Sequence, residues 1–199
     1  MKLVIDDQVW ELENSKTGIE EMIKLLEEKS ISAADQFFSH LLIDDIAVYD
    51  DFAGYLQENI SNVSQIRAEF LTVSEYTHEL LISAKDYLNR AIPAIDQLAD
   101  SFYNQVDSGS WLQVNHLLEG IQWLLETFET IDSLPNLAGL IDDYRLWNIY
   151  SQSLRELQES VTQLDDPLKF ADFVTVGDML LYEIKPALEK MMTNVPSVK

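Results

Sequence analysis

The sequence predicts an α+β protein, a small N-terminal sheet domain followed by an antiparallel four-helix bundle. Three observations carry this. Apolar residues alternate with period two through much of residues 1–72. Beyond Thr72 they recur every third and fourth residue, in runs too long for strands. The combinations Asp107-Ser108-Gly109-Ser110, Asp132-Ser133-Leu134-Pro135-Asn136 and Asp165-Asp166-Pro167 cut that second part into four. The expected domains are therefore residues 1–72 and 73–199.

In the first domain, Leu3-Val4-Ile5 and Val9-Trp10-Glu11-Leu12-Glu13 read as a hairpin about Asp6-Asp7-Gln8. The period then changes. Ile19, Met22, Ile23, Leu25 and Leu26 share one face of a helix, with Glu20, Glu21, Glu27 and Glu28 opposite. Thr17, with Glu20 three residues on, has the spacing of a capping box. Strand character returns at Gln36–Ile43, turns at Asp44-Asp45 and resumes at Ile46–Tyr49. Asp51–Ile60 predicts a short helix with Phe52, Tyr55 and Leu56 inward, and Ser64–Val73 a last strand. Leu3-Val4-Ile5-Asp6-Asp7 is echoed by Leu41-Leu42-Ile43-Asp44-Asp45, because two tight hairpins call for the same turn chemistry.

This order of hairpin, helix, strand, short strand, small helix and strand resembles the ubiquitin-like β-grasp. Ile31-Ser32-Ala33-Ala34-Asp35-Gln36 is similar to the loop after the main helix of that family. Tyr55-Leu56-Gln57-Glu58-Asn59-Ile60 occupies the place of its short helix. The resemblance implies that the first and last strands lie side by side and parallel, and that the domain serves as a binding platform. It does not imply conjugation, since Leu71-Thr72-Val73 runs directly into a helix in place of a free diglycine end.

The second domain is helical. Val73, Tyr76, Leu80, Ala84, Leu88, Ile95, Leu98 and Phe102 stripe the first helix, which contains Pro93. Val114, Leu117, Ile121, Leu124, Phe128 and Ile131 stripe the second. A third is expected over Leu137–Leu164 with Leu140, Tyr144, Trp147, Leu154, Leu157 and Val161 in line. A fourth is expected to start at Pro167, a residue favoured in a first turn, and to carry Phe173, Leu180, Ile184 and Leu188, with Pro186 inside it.

The chain of 199 residues has 35 acidic and 13 basic side chains and a net charge of −22. Between Ile92 and Asp143 lie eight acids and no Lys or Arg. Such a field repels nucleic-acid phosphates and anionic lipid, and steers basic protein surfaces. The chain has no cysteine, which removes thiolate chemistry and suits a reducing cytoplasm. The first residues show no secretory signal, and no apolar run reaches the length of a membrane span.

No complete catalytic set is legible. Glu75 and His78 have the Glu-x-x-His spacing of di-iron bundles, but His116 has Gln113 at that offset, so the second motif is missing. His40, His78 and His116 would have to come from both domains to make a three-histidine site. The paired aspartates fall at expected turns and helix starts, where Asp caps. A metal-dependent bundle enzyme built on Glu75, His78 and His116 is thus the alternative, and an acidic nucleic-acid mimic a further one. The leading expectation is a non-catalytic adaptor or chaperone-like protein without a cofactor. Its partner would be a protein with a basic or amphipathic surface, or a second copy of the chain, and neither nucleic acid nor membrane. The candidate binding residues are Trp123, Leu146 and Ile149, which lie beside the apolar stripes of their helices. Trp123 has Glu119, Gly120, Glu126 and Thr127 three and four residues away. That predicts docking on the N-terminal half, packing on a neighbouring helix, or a binding hot spot.

Overall fold

The computed structural model describes residues 1–32 and 35–199. Ala33 and Ala34, in the loop compared with ubiquitin, lie outside the described residues. The chain divides into two compact units, Met1–Tyr76 and Thr77–Lys199.

The first unit is a five-stranded mixed sheet with one long helix and one short one. Its strands are β1 (Lys2–Ile5), β2 (Gln8–Glu11), β3 (Gln36–Ile43), β4 (Ile46–Val48) and β5 (Gln65–Thr72). Helix α1 spans Lys16–Ser32 and α2 spans Phe52–Asn59, followed by a 3-10 turn, Ile60–Asn62. The strand order is β2-β1-β5-β3-β4, with β1 parallel to β5 and the other pairs antiparallel. The parallel pairing of the first strand with the last is what the β-grasp resemblance implies. The echo between the two hairpins has a structural meaning. Leu3 and Ile43 both pair with Ile66, and Ile5 and Leu41 both pair with Ala68, so the repeated segments flank the central strand from either side. All six side chains are buried together with Met22, Leu26 and Leu56. Ile23 and Phe70 are half-buried against this core.

The aspartate turns are built as their chemistry requires. Asp44 and Asp45 both adopt positive φ, 44° and 69°, which matches the right-handed twist of a two-residue hairpin. The Asp44 carboxylate then accepts hydrogen bonds from the Ser64 and Gln65 amides at 2.8–3.1 Å, tying this turn to the start of β5. The N-cap of α1 is Ser15, not Thr17. The Gly18 amide donates to Ser15 Oγ at 3.3 Å, because the helix starts at Lys16 and places Gly18 third. A Cβ on Gly18 would lie 2.0 Å from the Glu13 carbonyl oxygen, so glycine is needed there.

The second unit contains four helical rods. These are α3 (Val73–Asn104, whose first turn belongs to the sheet unit), α4 (Ser108–Asp132) and α6 (Tyr144–Lys169). The fourth combines α7 (Phe173–Met179), a π-helical segment (Leu180–Ile184) and α8 (Lys185–Thr193). A one-turn helix, α5 (Leu137–Leu140), precedes α6. Tyr87 of α3 reaches Leu117 of α4, while Phe102 meets Trp111, so these rods are antiparallel. Asp96 pairs with Lys185 and Tyr103 with Asp178, so α3 also runs against the α7–α8 rod. On α6, Trp147 stacks on Phe128 of α4 with centroids 4.9 Å apart and donates from Nε1 to Asp132. Leu98, Leu117, Ile121, Leu124, Leu154, Leu157, Leu180 and Ile184 are all buried.

Four expectations are corrected. The stripe of α3 runs Thr77, Leu81, Ala84, Leu88, Ile92, Ile95, so Leu81 is buried and Leu80 half-buried. The reason is that Tyr76 stacks on Phe37 of β3 and serves the sheet unit, and the bundle stripe begins one residue later. The third helix is broken at Ile141, which pairs as an extended residue with Val198, before Asp143 caps α6 through the Arg145 amide. Tyr144 is exposed. Pro167 lies in the last turn of α6 instead of opening the next helix. Buried Leu164 carries the stripe that far, and the chain reverses at Ala171, where φ is 55°. Asp172, not Asp165 or Asp166, caps α7 through Thr175.

Candidate functional site

The carboxylates and histidines singled out in the sequence are mostly engaged by the fold. Glu75 closes a reciprocal cap at the start of α3. Thr72 donates to it from N and Oγ1 at 2.9 and 2.8 Å, and the Glu75 amide returns a bond to Thr72 Oγ1. Those bonds to its charged form hold its carboxyl below the usual range. His40 stacks on Tyr49, its neighbour across the hairpin, and contacts Ser39 Oγ. His78 is exposed on α3 and His116 exposed on α4. Among the described residues no three His, Asp or Glu side chains converge to hold a metal.

Trp123 is half-buried and packs edge-to-face on Tyr87 of α3, with ring centroids 6.0 Å apart. This is contact with a neighbouring helix, one of the three placements expected for it. Leu146 and Ile149 flank Trp147 on α6, each half-buried. Trp123 lines a shallow recess with Ser83, Asp86, Tyr87, Arg90 and Gly120.

A different surface of the helical unit leaves its apolar groups in water. Where α3 ends and α4 and α7 begin, Phe102, Trp111 and Phe173 form a mutually packed aromatic triad with centroids 5.9–6.3 Å apart. Phe102 is buried beneath it and Trp111 is exposed. Val174, Asp178 and Tyr182 follow one another at four-residue intervals along α7 and the π-helical segment. Val174 is 61% exposed and Tyr182 73%. Tyr103 of α3 lies against Gly177, where a Cβ would come within 2.7 Å of its ring, and donates to Asp178 at 2.6 Å. That bond stabilises the neutral phenol and pushes its pKa up to about 12. Phe170, at the reversal between α6 and α7, is 81% exposed. The reversal itself is held by the Asp172 amide donating to the Pro167 carbonyl at 2.9 Å and by the Asp172–Thr175 cap.

The acids of this end are Asp100, Asp107, Asp172 and Asp178. Asp107 forms a reciprocal cap with Ser110, which lowers its pKa and keeps it charged. The nearest cations in sequence are already paired, Lys169 with Asp165 and Lys185 with Asp96. The surface therefore offers exposed aromatic faces beside uncompensated carboxylates. Sequence reasoning missed it because it followed the inward stripe of Phe173, Leu180, Ile184 and Leu188, which is buried or half-buried as expected, and not the residues opposite it.

The molecule is thus an α+β protein that joins a β-grasp sheet unit to a helical unit bearing an aromatic and acidic surface. The chain belongs to the family described as a domain of unknown function (DUF8042), which matches residues 79–194, more than half of it. The match falls within the helical unit and takes in the whole exposed aromatic surface. No curated protein and no solved structure matches the chain.

Proposed function

We propose that this is a non-catalytic interaction protein, an adaptor or chaperone-like module, whose helical unit binds a basic, amphipathic segment of a partner protein. The observation that supports this reading best is the surface formed by Tyr103, Trp111, Val174 and Tyr182, with Phe170 at its edge and acids around it. Exposed aromatic rings and carboxylates together suit Lys and Arg side chains, which take a cation–π face and an ion pair at once. Aromatic anchors with a charged rim are also the usual anatomy of a protein-binding hot spot. The net charge of −22 steers a cationic partner toward it. Among the described residues no helix is long and apolar enough to cross a membrane. A cysteine-free chain suits a reducing compartment, and the cytoplasm is the compartment proposed.

The test is a titration with a synthetic Leu/Lys amphipathic helical peptide, followed by calorimetry. The expected result is saturable binding that weakens as salt rises from about 0.05 to 0.5 M. The double variant Phe170→Ser/Tyr182→Ser should lose about tenfold or more in affinity at unchanged thermal stability. An acidic peptide of the same pattern that binds equally well would sink the proposal. So would a double variant that binds like the parent. If Trp123→Ala abolishes binding instead, the binding face is the α3–α4 seam and the aromatic surface is not the site.

A further inference from the structure

We propose that the seam between α3 and α4 is a separate binding site for a small amphipathic carboxylate, with Arg90 holding the carboxylate and an apolar trough holding the tail. The seam encloses a groove of about 350 Å³, a size within the range of small-molecule sites. Its floor is Ala91, Ala94, Ile95, Leu98 and Leu117. The groove exists because α3 places small side chains there and because Gly120 lets the Tyr87 ring lie across α4. A Cβ at Gly120 would be 2.1 Å from the Tyr87 hydroxyl. That hydroxyl donates to the Leu117 carbonyl at 3.4 Å and fixes the ring as one wall.

The polar groups at the mouth are Arg90, Gln97, Gln113 and His116. Arg90 is the single Lys or Arg between Lys85 and Arg145 in a strongly acidic chain. Its Nε donates to the Asp86 carbonyl at 3.3 Å, which orients the guanidinium, and it forms no ion pair among the described residues. The two terminal nitrogens of its planar fork are left open, the geometry that takes a carboxylate through two parallel bonds. The Gln97 and Gln113 side chains likewise make no hydrogen bond within the protein among the described residues, and can complete the shell. The groove's own lining carries no Asp or Glu, so Arg90 sets the local charge there and favours an anionic head group. The apolar floor selects the tail.

Decanoate serves as the probe, with decanol and decyltrimethylammonium as its neutral and cationic counterparts, measured by calorimetry on the whole protein. Decanoate should bind saturably at one site below its micelle range, and more tightly than either counterpart. Arg90→Gln should weaken it roughly tenfold or more, the loss expected for bonds to a charged group. Ala94→Trp should block it by filling the trough while the melting temperature holds. Phe170→Ser/Tyr182→Ser should leave it unchanged, which separates this site from the peptide surface. The proposal is overturned by absence of saturation, by equal affinity in Arg90→Gln, by equal binding of the cationic probe, or by loss of decanoate binding in the Phe170/Tyr182 variant.

Discussion

The two units treat their special residues differently. In the sheet unit several polar groups are engaged by the fold itself. Asp44 ties the β3–β4 turn to β5, Asn14 donates to the Ile60 and Val63 carbonyls at 2.7 Å, and Asp51 caps α2. Even the recess beside the first hairpin is spanned by its own ion pair, Lys29 to Asp6. Its large exposed apolar residues among those described, Val9, Ile31, Ile46 and Tyr49, lie on β2, on α1, on β4 and just after β4. In the helical unit Arg90 forms no ion pair and the Gln97 and Gln113 side chains no hydrogen bond among the described residues at one groove, and Trp111, Phe170, Val174 and Tyr182 are exposed around one end. The contrast is one of placement, and it supports the proposal that recognition belongs to the helical unit.

The sharpest way to break this contrast uses two large aromatics. Trp147 is buried, stacked on Phe128 and bonded to Asp132, so Trp147→Ala should cost about 3–5 kcal/mol. Phe170→Ala should stay within about 0.5 kcal/mol, because an exposed ring loses little on truncation. Both are read from denaturant midpoints at constant slope. A large loss in Phe170→Ala would show that the ring packs in solution, and would remove it from the binding surface.

What was legible in the sequence followed the same divide. The sheet unit could be read almost residue by residue, since period-two alternation and Asp-Asp turns are local signals. Leu3, Ile5, Leu41 and Ile43 are where the alternation put them. The helical stripes were legible in their middles, at Leu98, Ile121 and Leu157, and failed at ends. Tyr76 was pulled to the sheet by Phe37, and Pro167 was overridden by buried Leu164. The binding surfaces were less legible still. Arg90 and Gln113 are 23 positions apart in sequence, and nothing local says that one helix brings its Arg beside the other's Gln. Trp123 drew attention as an oddity of its helix. Its partner, Tyr87, depends on Gly120 being small, which only the packed pair reveals.

A second, smaller effect tests the engaged side of the comparison. Asp44→Ala should cost about 1 kcal/mol, since two exposed amides, Ser64 and Gln65, lose their charged acceptor. Asp45→Ala is the control. It carries a similar left-handed backbone at φ 69° and makes no such bonds, so the difference between the two variants isolates the hydrogen bonds from the strain. Equal losses in thermal or denaturant unfolding would mean that the turn conformation alone matters and that Asp44 is not a tie.

The smallest effect is also the most local. Tyr103 donates to Asp178, and this bond is the largest cause of a phenol pKa raised from 10.0 to about 12. Its neutral form is the favoured one in the folded state. Its contribution to stability is therefore complete below pH 10 and is lost as the pH rises through about 12. Tyr87 is raised to a similar value by a different cause, its burial. Asp178→Asn removes the charge beside Tyr103 and leaves Tyr87 untouched. In a phenolate absorbance titration one tyrosine should move back toward 10 while the other stays near 12. A cationic peptide that engages Asp178 should do the same to the parent protein, because a Lys or Arg competing for that carboxylate takes away the acceptor that holds Tyr103 neutral. If the peptide binds and the tyrosine titration does not move, Asp178 lies outside the contact, and the acidic contribution to this surface must come from Asp100, Asp107 and Asp172.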